Sequence, residues 1–340
     1  MLTRCISTGT TVWSTIRRAL AIVALWVVPA VAAERIEALE PHMGTMFRIV
    51  LYADDPGRAH EAIRAAFDRV ATLDSELSDY ISDSELNRIC VDAVGRDVAV
   101  SDDLFTVLSA SQALAVRSDG AFDVTQGPVI RLWRAARQSH QLPGAEEIAA
   151  ALKLTGYGKL HLGAHTVRLD MTGMRLDLGA IAKGYAADEG LRVLRERGFP
   201  QALVAASGDL AFGEAPPGKA GWDIGVEPVH AAGEGFAKVL QLHNAAASTS
   251  GDTEQFAEID GVRYSHIVNP KTGTGLTMRV GVTVIAGKGI DSDGLSTAAS
   301  VICGQSGVAA ALVLIEKAGA RGIVVVEEGG QWKKYESPVR

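Results

Sequence analysis

The spacing of apolar positions along this chain changes period several times. Met46-Phe-Arg-Ile-Val-Leu-Tyr52 alternates as a half-buried strand does, and Asp54-Asp-Pro-Gly57 behind it reads as a turn. Beyond it the period lengthens. Ala62, Ile63, Ala66, Phe67, Val70, Leu73 and Leu77 recur at helical intervals and predict a long amphipathic helix. Ser101, followed by Asp102 and Asp103, is an N-cap for a second helix that buries Leu104, Val107, Leu108 and Leu114 and stops at Gly120. A basic helical piece covers 129–138, and Gln141-Leu-Pro-Gly144 reads as a linker. Strands are expected at 159–162, 166–169, 202–206 and 222–227, with a helix at 181–197 and a rigid loop at Glu214-Ala-Pro-Pro-Gly218. The last third alternates strands at 239–242, 281–285 and 322–326 with helices beginning near Asp293 and Gly307. Hairpins and helices mixed in this irregular way predict an α+β fold rather than a doubly wound sheet: one large domain of mainly antiparallel sheets packed with helices.

Composition bounds the class. At 340 residues, 47% hydrophobic and 21% charged, the chain can bury a substantial core. The opening residues differ from the rest. Arg4, Arg17 and Arg18 are basic, no acid precedes Glu34, and the apolar run Ala19 to Ala33 ends in Ala30-Val-Ala-Ala33. That run is short for a bilayer span and has small residues at its end, so residues 1–33 read as a cleavable signal peptide ahead of a domain at 34–340. Export to the periplasm is implied, by the general route or, through Arg17-Arg18, by a twin-arginine route. Cleavage takes the formal charge from −7 to −10. Such an acidic surface argues against nucleic acid and anionic lipid as partners. Cys5 lies in the leader; Cys90 and Cys303 sit in apolar helical contexts that suit buried free thiols, although an oxidising compartment would let them pair.

Two stretches carry candidate chemistry. In Leu176-Asp-Leu-Gly-Ala-Ile-Ala-Lys-Gly184, Gly179 permits close backbone approach at a strand-to-helix turn, and Lys183 stands one turn into the helix as a point charge for phosphate. In Asp291-Ser-Asp-Gly-Leu-Ser-Thr-Ala298, Asp293 and Thr297 are four apart, so on a helix their oxygens share a face. Taken alone, Asp293 also reads as a helix N-cap and Thr297 as a first-turn residue bonded back to the backbone. A calcium loop opening at Asp291 fails, because Ile302 stands where its terminal carboxylate belongs. No G-x-x-x-x-G-K-[ST] occurs, and no G-x-G-x-x-G follows a strand, so any nucleotide is held by other means.

Seven motifs in order resemble the ApbE-type family of FAD:protein FMN transferases. They are Met43-Gly-Thr45; Leu77-Ser-Asp-Tyr80 with Ser84-Glu-Leu-Asn87; Gly120-Ala-Phe-Asp-Val-Thr-Gln-Gly-Pro128 with Leu132-Trp133; and Asp177-Leu-Gly-Ala-Ile-Ala-Lys-Gly184. Ser248-Thr-Ser-Gly251, Tyr264-Ser-His-Ile-Val-Asn-Pro-Lys-Thr-Gly273 and Asp293-Gly-Leu-Ser-Thr-Ala298 complete the series. The resemblance implies Mg²⁺ held by Asp293, Thr297 and the carbonyl of Ala180, and FAD as substrate. It places FAD against Met43, Tyr80 and Ala121-Phe122-Asp123, with further flavin-nucleotide contacts at Asp177 and Lys183. Tyr80 then stacks on a ring of FAD. His266 is either the general base for an attacking hydroxyl or a flavin contact without proton transfer.

The implied reaction moves FMN from FAD to a Thr or Ser hydroxyl of a flavin-accepting redox protein and releases AMP. Two alternatives are FAD pyrophosphatase activity, with water as acceptor, and storage of FAD without catalysis. No cysteine stands at the leader's cleavage point, so a soluble mature protein with no direct lipid anchor is expected. Three positions depart from the family pattern. Ala205-Ala-Ser-Gly-Asp209 replaces Asn-x-Gly-Gly-Asp, Thr253 stands at an often aromatic place, and Leu276 stands where proline is frequent.

Overall fold

Eight antiparallel strands, hydrogen-bonded edge to edge in chain order, form the main sheet. They are β1 (Glu34–His42), β2 (Thr45–Ala53), β3 (Ala202–Ala206), β4 (Asp209–Phe212), β5 (Ala245–Gly251), β6 (Val280–Ala286), β7 (Arg321–Glu328) and β8 (Gln331–Glu336). The computed structural model describes residues 33–226, 238–251 and 256–338. Within it run helices α1 (Pro56–Leu77), α2 (Glu85–Asp92), α3 (Asp102–Arg117), α4 (Gly127–Ser139), α5 (Ala145–Lys153), α6 (Ala182–Glu196), α7 (Gly289–Ser306) and α8 (Val308–Lys317). Short hairpins and a three-stranded sheet fill the connections, giving a mixed α+β domain, as the irregular periodicity predicts.

The alternation of β2 shows how the layers are built. Phe47, Ile49, Leu51 and Ala53 point to one face and join Phe67, Val70 and Leu73 of α1 and Ala186, Leu191 and Leu194 of α6 in the principal core. Val50 points to the other face and packs with Leu203, Phe212 and Trp222. There the sheet is covered by the hairpin of Trp222–Val226 with Lys238–Leu242.

α7 lies deep in the principal layer, between α3, α6 and strands β5 and β6. Its buried residues include Ser292, Gly294, Ser296, Ala298, Ala299 and Ser300, small enough for neighbouring backbones to come close. A methyl group on Gly184 of α6 would fall 2.2 Å from the carbonyl oxygen of Gly289, and one on Gly294 would fall 2.8 Å from Leu114. At Gly184, where the neighbour is backbone, only hydrogen fits.

Several local expectations shift. Asp54-Asp-Pro-Gly57 is no free turn: Asp55 is the N-cap of α1, its side chain accepting from the Arg58 N–H at 3.1 Å, with Pro56 in the first turn where a missing N–H costs nothing. α7 starts at Gly289 rather than near Asp293, because Asp188 of α6 caps it from a distance. That carboxylate accepts the N–H groups of Gly289 at 2.7 Å and Ile290 at 3.0 Å. The segment read as a linker ends at Gly144, where α5 begins; the Glu147 carboxylate accepts the Gly144 N–H at 2.8 Å. Asp177 follows an isolated bridge between Gln126 and Arg175 rather than a strand, and His266 sits in a bend, not within a strand.

Cys90 and Cys303 are buried and unpaired, and burial pushes the Cys303 thiol up to about 12. Among the described residues no helix is long and apolar enough to cross a membrane. The leader up to Ala32, Glu227 and Thr253 lie outside the described residues.

Candidate active site

A cavity of about 470 Å³ opens among the loops at one end of these layers, a size in the range of small-molecule sites. Met43, Tyr80, Ala121, Phe122, Asp123, Asp177, Ala180, Lys183, His266, Asp293 and Thr297 all line it. Every candidate residue read from the sequence therefore meets at one place, although they span some 250 positions of chain. Each of the seven motifs contributes to the wall.

Met43 enters through a two-residue turn between β1 and β2 in which Met43 has φ 49° and Gly44 φ 71°, the left-handed pair that a tight hairpin needs. The Met43 N–H, left free by this turn, donates to Asp74 of α1 at 2.8 Å. Ser207 and Gly208, which also line the cavity, join β3 to β4, and of these two only Ser207 has a positive φ. Ser207 takes φ 55°, a conformation that costs a side-chain-bearing residue on the order of 1 kcal/mol.

The acidic centre lies between α6 and α7. Asp293 is 2% exposed and accepts the Gly184 N–H at 3.0 Å. Lys183 Nζ lies 3.0 Å from Asp209 and 3.9 Å from Asp293, and donates to the Gly179 carbonyl at 2.8 Å. Burial, and then the charge of Asp209, push the Asp293 carboxyl well above the ordinary carboxylate range; Lys183 and the Gly184 N–H offset this only in part. Burial would lower the Lys183 ammonium, but the attraction of Asp209 and Asp293 outweighs it and holds Lys183 above the usual lysine range. Two carboxylates thus share one cation here.

Thr297 follows one turn after Asp293, and its hydroxyl lies 3.1 Å from Ser250 on β5, which in turn contacts Ser296 at 2.6 Å. This is the structural use of Ser248-Thr-Ser-Gly251: Ser248 and Ser250 register β5 against α7, and the Thr249 hydroxyl pairs with Thr283 of β6 at 2.9 Å. Asp293, Thr297 and the Ala180 carbonyl offer hard oxygen donors with one carboxylate among them. Among the described residues no group of three or more His, Cys, Asp and Glu is placed to hold a metal. That donor set suits Mg²⁺, which takes one or two protein carboxylates and fills its remaining positions with water and substrate phosphate.

The opposite wall holds a network that sequence reading missed. Arg134 of α4 donates to Asp79 and, at 2.6 Å, to Asp177, and its guanidinium lies 4.3 Å from the centre of the Tyr80 ring. Burial and the charge of Asp79 raise the Asp177 carboxyl, and Arg134 pulls it down. The second Asp177 oxygen accepts the Gly179 N–H at 2.9 Å and so shapes the turn into α6. Burial also raises Asp123, whose carboxylate accepts the N–H and hydroxyl of Thr125 at 2.8 and 2.7 Å. The signal of Arg134 in the sequence was only an arginine nearly two turns beyond Pro128, on a helix with other basic residues.

His266 is exposed at the rim, and the chain around it is pinned. The Ser265 N–H donates to the Leu276 carbonyl at 2.7 Å, and the Leu276 N–H donates to the Ile267 carbonyl at 2.9 Å. A proline at position 276 would have no N–H for the second bond.

The sequence model described as the ApbE family matches residues 43–320. The chain belongs to the ApbE family. Among curated relatives, an FAD:protein FMN transferase of Treponema pallidum is 32% identical over 277 residues, 76% of each chain. One of Vibrio cholerae is 31% identical over 284 residues, 82% of this chain and 85% of its own. The solved structure of the flavin transferase ApbE of Vibrio cholerae superposes with a TM-score of 0.79 at 29% identity, over 90% of this chain and 97% of that one. The apo flavinyl transferase ApbE of Pseudomonas stutzeri gives 0.78 at 31% identity, over 90% and 95%. The α+β architecture of this ApbE protein is thus the family's own.

Proposed function

We propose that this protein is an FAD:protein FMN transferase, exported to the periplasm after loss of residues 1–33. One observation carries the reading: residues from all seven family motifs wall a single cavity that sets ring-stacking, phosphate-binding and oxygen-ligand groups side by side. Family membership and the names of the relatives support it.

Within that reading, Tyr80 and Met43 receive the rings of FAD, and Asp123 and Asp177 accept hydrogen bonds from its polar groups. Lys183 turns from Asp209 to the diphosphate, exchanging a carboxylate partner for a phosphate one. Asp293, the Thr297 hydroxyl and the Ala180 carbonyl hold Mg²⁺. When bound, Mg²⁺ supplies charge neutralisation at the diphosphate. The acceptor's Thr or Ser hydroxyl enters from the rim where His266 is exposed, and a ring nitrogen of His266 takes its proton. The hydroxyl oxygen bonds to the FMN-side phosphorus, the bond from that phosphorus to the bridging oxygen breaks, and AMP leaves. The partners are FAD and a flavin-accepting redox protein.

Incubation with FAD and Mg²⁺, with and without an acceptor domain, tests this. Covalent flavin on the acceptor is expected. AMP and free FMN in equal amounts whether or not acceptor is present would make the protein a pyrophosphatase, and intact FAD in both reactions would make it a storage protein.

A further inference from the structure

Tyr80 is 69% exposed, yet its ring is not free to wander. It belongs to the loop between α1 and α2, whose backbone is fixed from within by the Asn87 side chain. That amide donates to the carbonyls of Asp79 at 3.0 Å and Ile81 at 2.8 Å. Arg134 reaches the ring itself from another part of the fold, with its guanidinium 4.3 Å from the ring centre. The same guanidinium is anchored on both sides. It bonds to Asp79, next to Tyr80 in the chain, and to Asp177 at 2.6 Å, on the turn into α6. Both carboxylates are nearly buried, with side chains 8% and 5% exposed, so each end of the guanidinium is held by a partner that is itself fixed in the fold. A planar cation gripped at its edges lays its flat face against an aromatic ring.

We infer that Arg134 is a positioning residue for the flavin nucleotide: it backs one face of the Tyr80 ring so that the other face is presented, already oriented, to a ring of FAD. It also ties the Tyr80 loop to the Asp177 turn, so the two sides of the cavity mouth move as one. The inference rests on the FAD-binding reading of the cavity. Preorganisation of this kind acts on affinity, because the unliganded protein has already given up the freedom that binding would otherwise remove. Lysine cannot reproduce it, since a point charge on a flexible stem reaches one carboxylate and offers no flat face.

The test is a double-mutant cycle on FAD affinity with Arg134→Lys and Tyr80→Ala, each folded state checked by thermal unfolding. Measurable FAD binding by the unaltered protein comes first, and its absence would refute the functional reading rather than this one. Arg134→Lys alone is expected to weaken FAD binding by about threefold or more, and to raise KM for FAD more than it lowers kcat. In the Tyr80→Ala background the same substitution is expected to change affinity by less than about twofold, because the ring it supports is gone. Loss of the carboxylate pairs lowers Tm in both backgrounds alike, so a merely structural role does not produce this pattern. Equal losses in both backgrounds, or none in the first, would overturn the inference. Should Arg134→Lys fail to fold, Asp79→Asn releases the guanidinium on the loop side only, and the same coupling with Tyr80→Ala is expected and decides the matter.

Discussion

Gly184→Ala probes the joint on which the acidic centre depends. The added methyl would lie 2.2 Å from the carbonyl oxygen of Gly289 and 2.7 Å from the β-carbon of Asp293. The approach is reciprocal: a methyl on Gly289 would lie 2.3 Å from the Gly184 carbonyl oxygen. Both partners are backbone, so α6 and α7 must part by roughly 1 Å to restore ordinary contact distances of about 3.5 Å. Overpacking of this kind costs about 1–3 kcal/mol, which for a domain of this size lowers Tm by several degrees, roughly 2–4 °C for each kcal/mol. The separation also stretches the Gly184 N–H bond to Asp293, 3.0 Å in the unaltered protein, and carries the carboxylate away from Lys183. A misplacement of about 1 Å in a catalytic site costs up to 10²-fold in rate, so FAD turnover should fall at least tenfold. Thermal unfolding and Mg²⁺-dependent AMP release from FAD read the two effects. The control lies on the same helix: a methyl on Gly190 meets only Val204 and Val70 side chains, at 3.5 Å and beyond, so Gly190→Ala should leave turnover intact and stabilise by up to about 1 kcal/mol. Unaltered Tm and turnover in Gly184→Ala would refute the close-packed joint.

Ser207→Gly, at φ 55°, should raise Tm by a few degrees, because it relieves about 1 kcal/mol of backbone strain; an unchanged or lower Tm would show that Ser207 is not strained. Burial pushes Asp188 up to about 6, against the pull of the Gly289 and Ile290 N–H groups. A carboxyl raised on folding contributes stability that is fully present below about pH 4 and lost as pH rises through about 6. The Tm of the unaltered protein should therefore fall relative to that of Asp188→Asn between pH 4 and 7, and parallel profiles would contradict the shift.

Much of the site was legible because its chemistry sits in short local motifs, and the fold brings those motifs together. Helices with a strong apolar stripe, such as α1 and α3, were equally plain. The start of α7 was not: a helix of Gly, Ser and Ala buried on several sides has no stripe, and its cap, Asp188, lies about a hundred residues away. β1 and β8 escaped because they are edge strands; Ile36 is the one buried residue of β1, so alternation is faint. Arg134 was invisible for a different reason. Its partners Asp79 and Asp177 lie 55 and 43 positions away, and no local spacing announces a guanidinium shared between them.

Mass spectrometry of a Thr- or Ser-containing acceptor domain from a redox protein, incubated with FAD, Mg²⁺ and either this protein or its Asp293→Asn variant, tests the central claim most directly. The predicted result is an acceptor heavier by one FMN less water with the unaltered protein, AMP released in equal amount, and no adduct with Asp293→Asn. An acceptor left unmodified while FAD stays intact, or equal labelling by both proteins, would contradict the account.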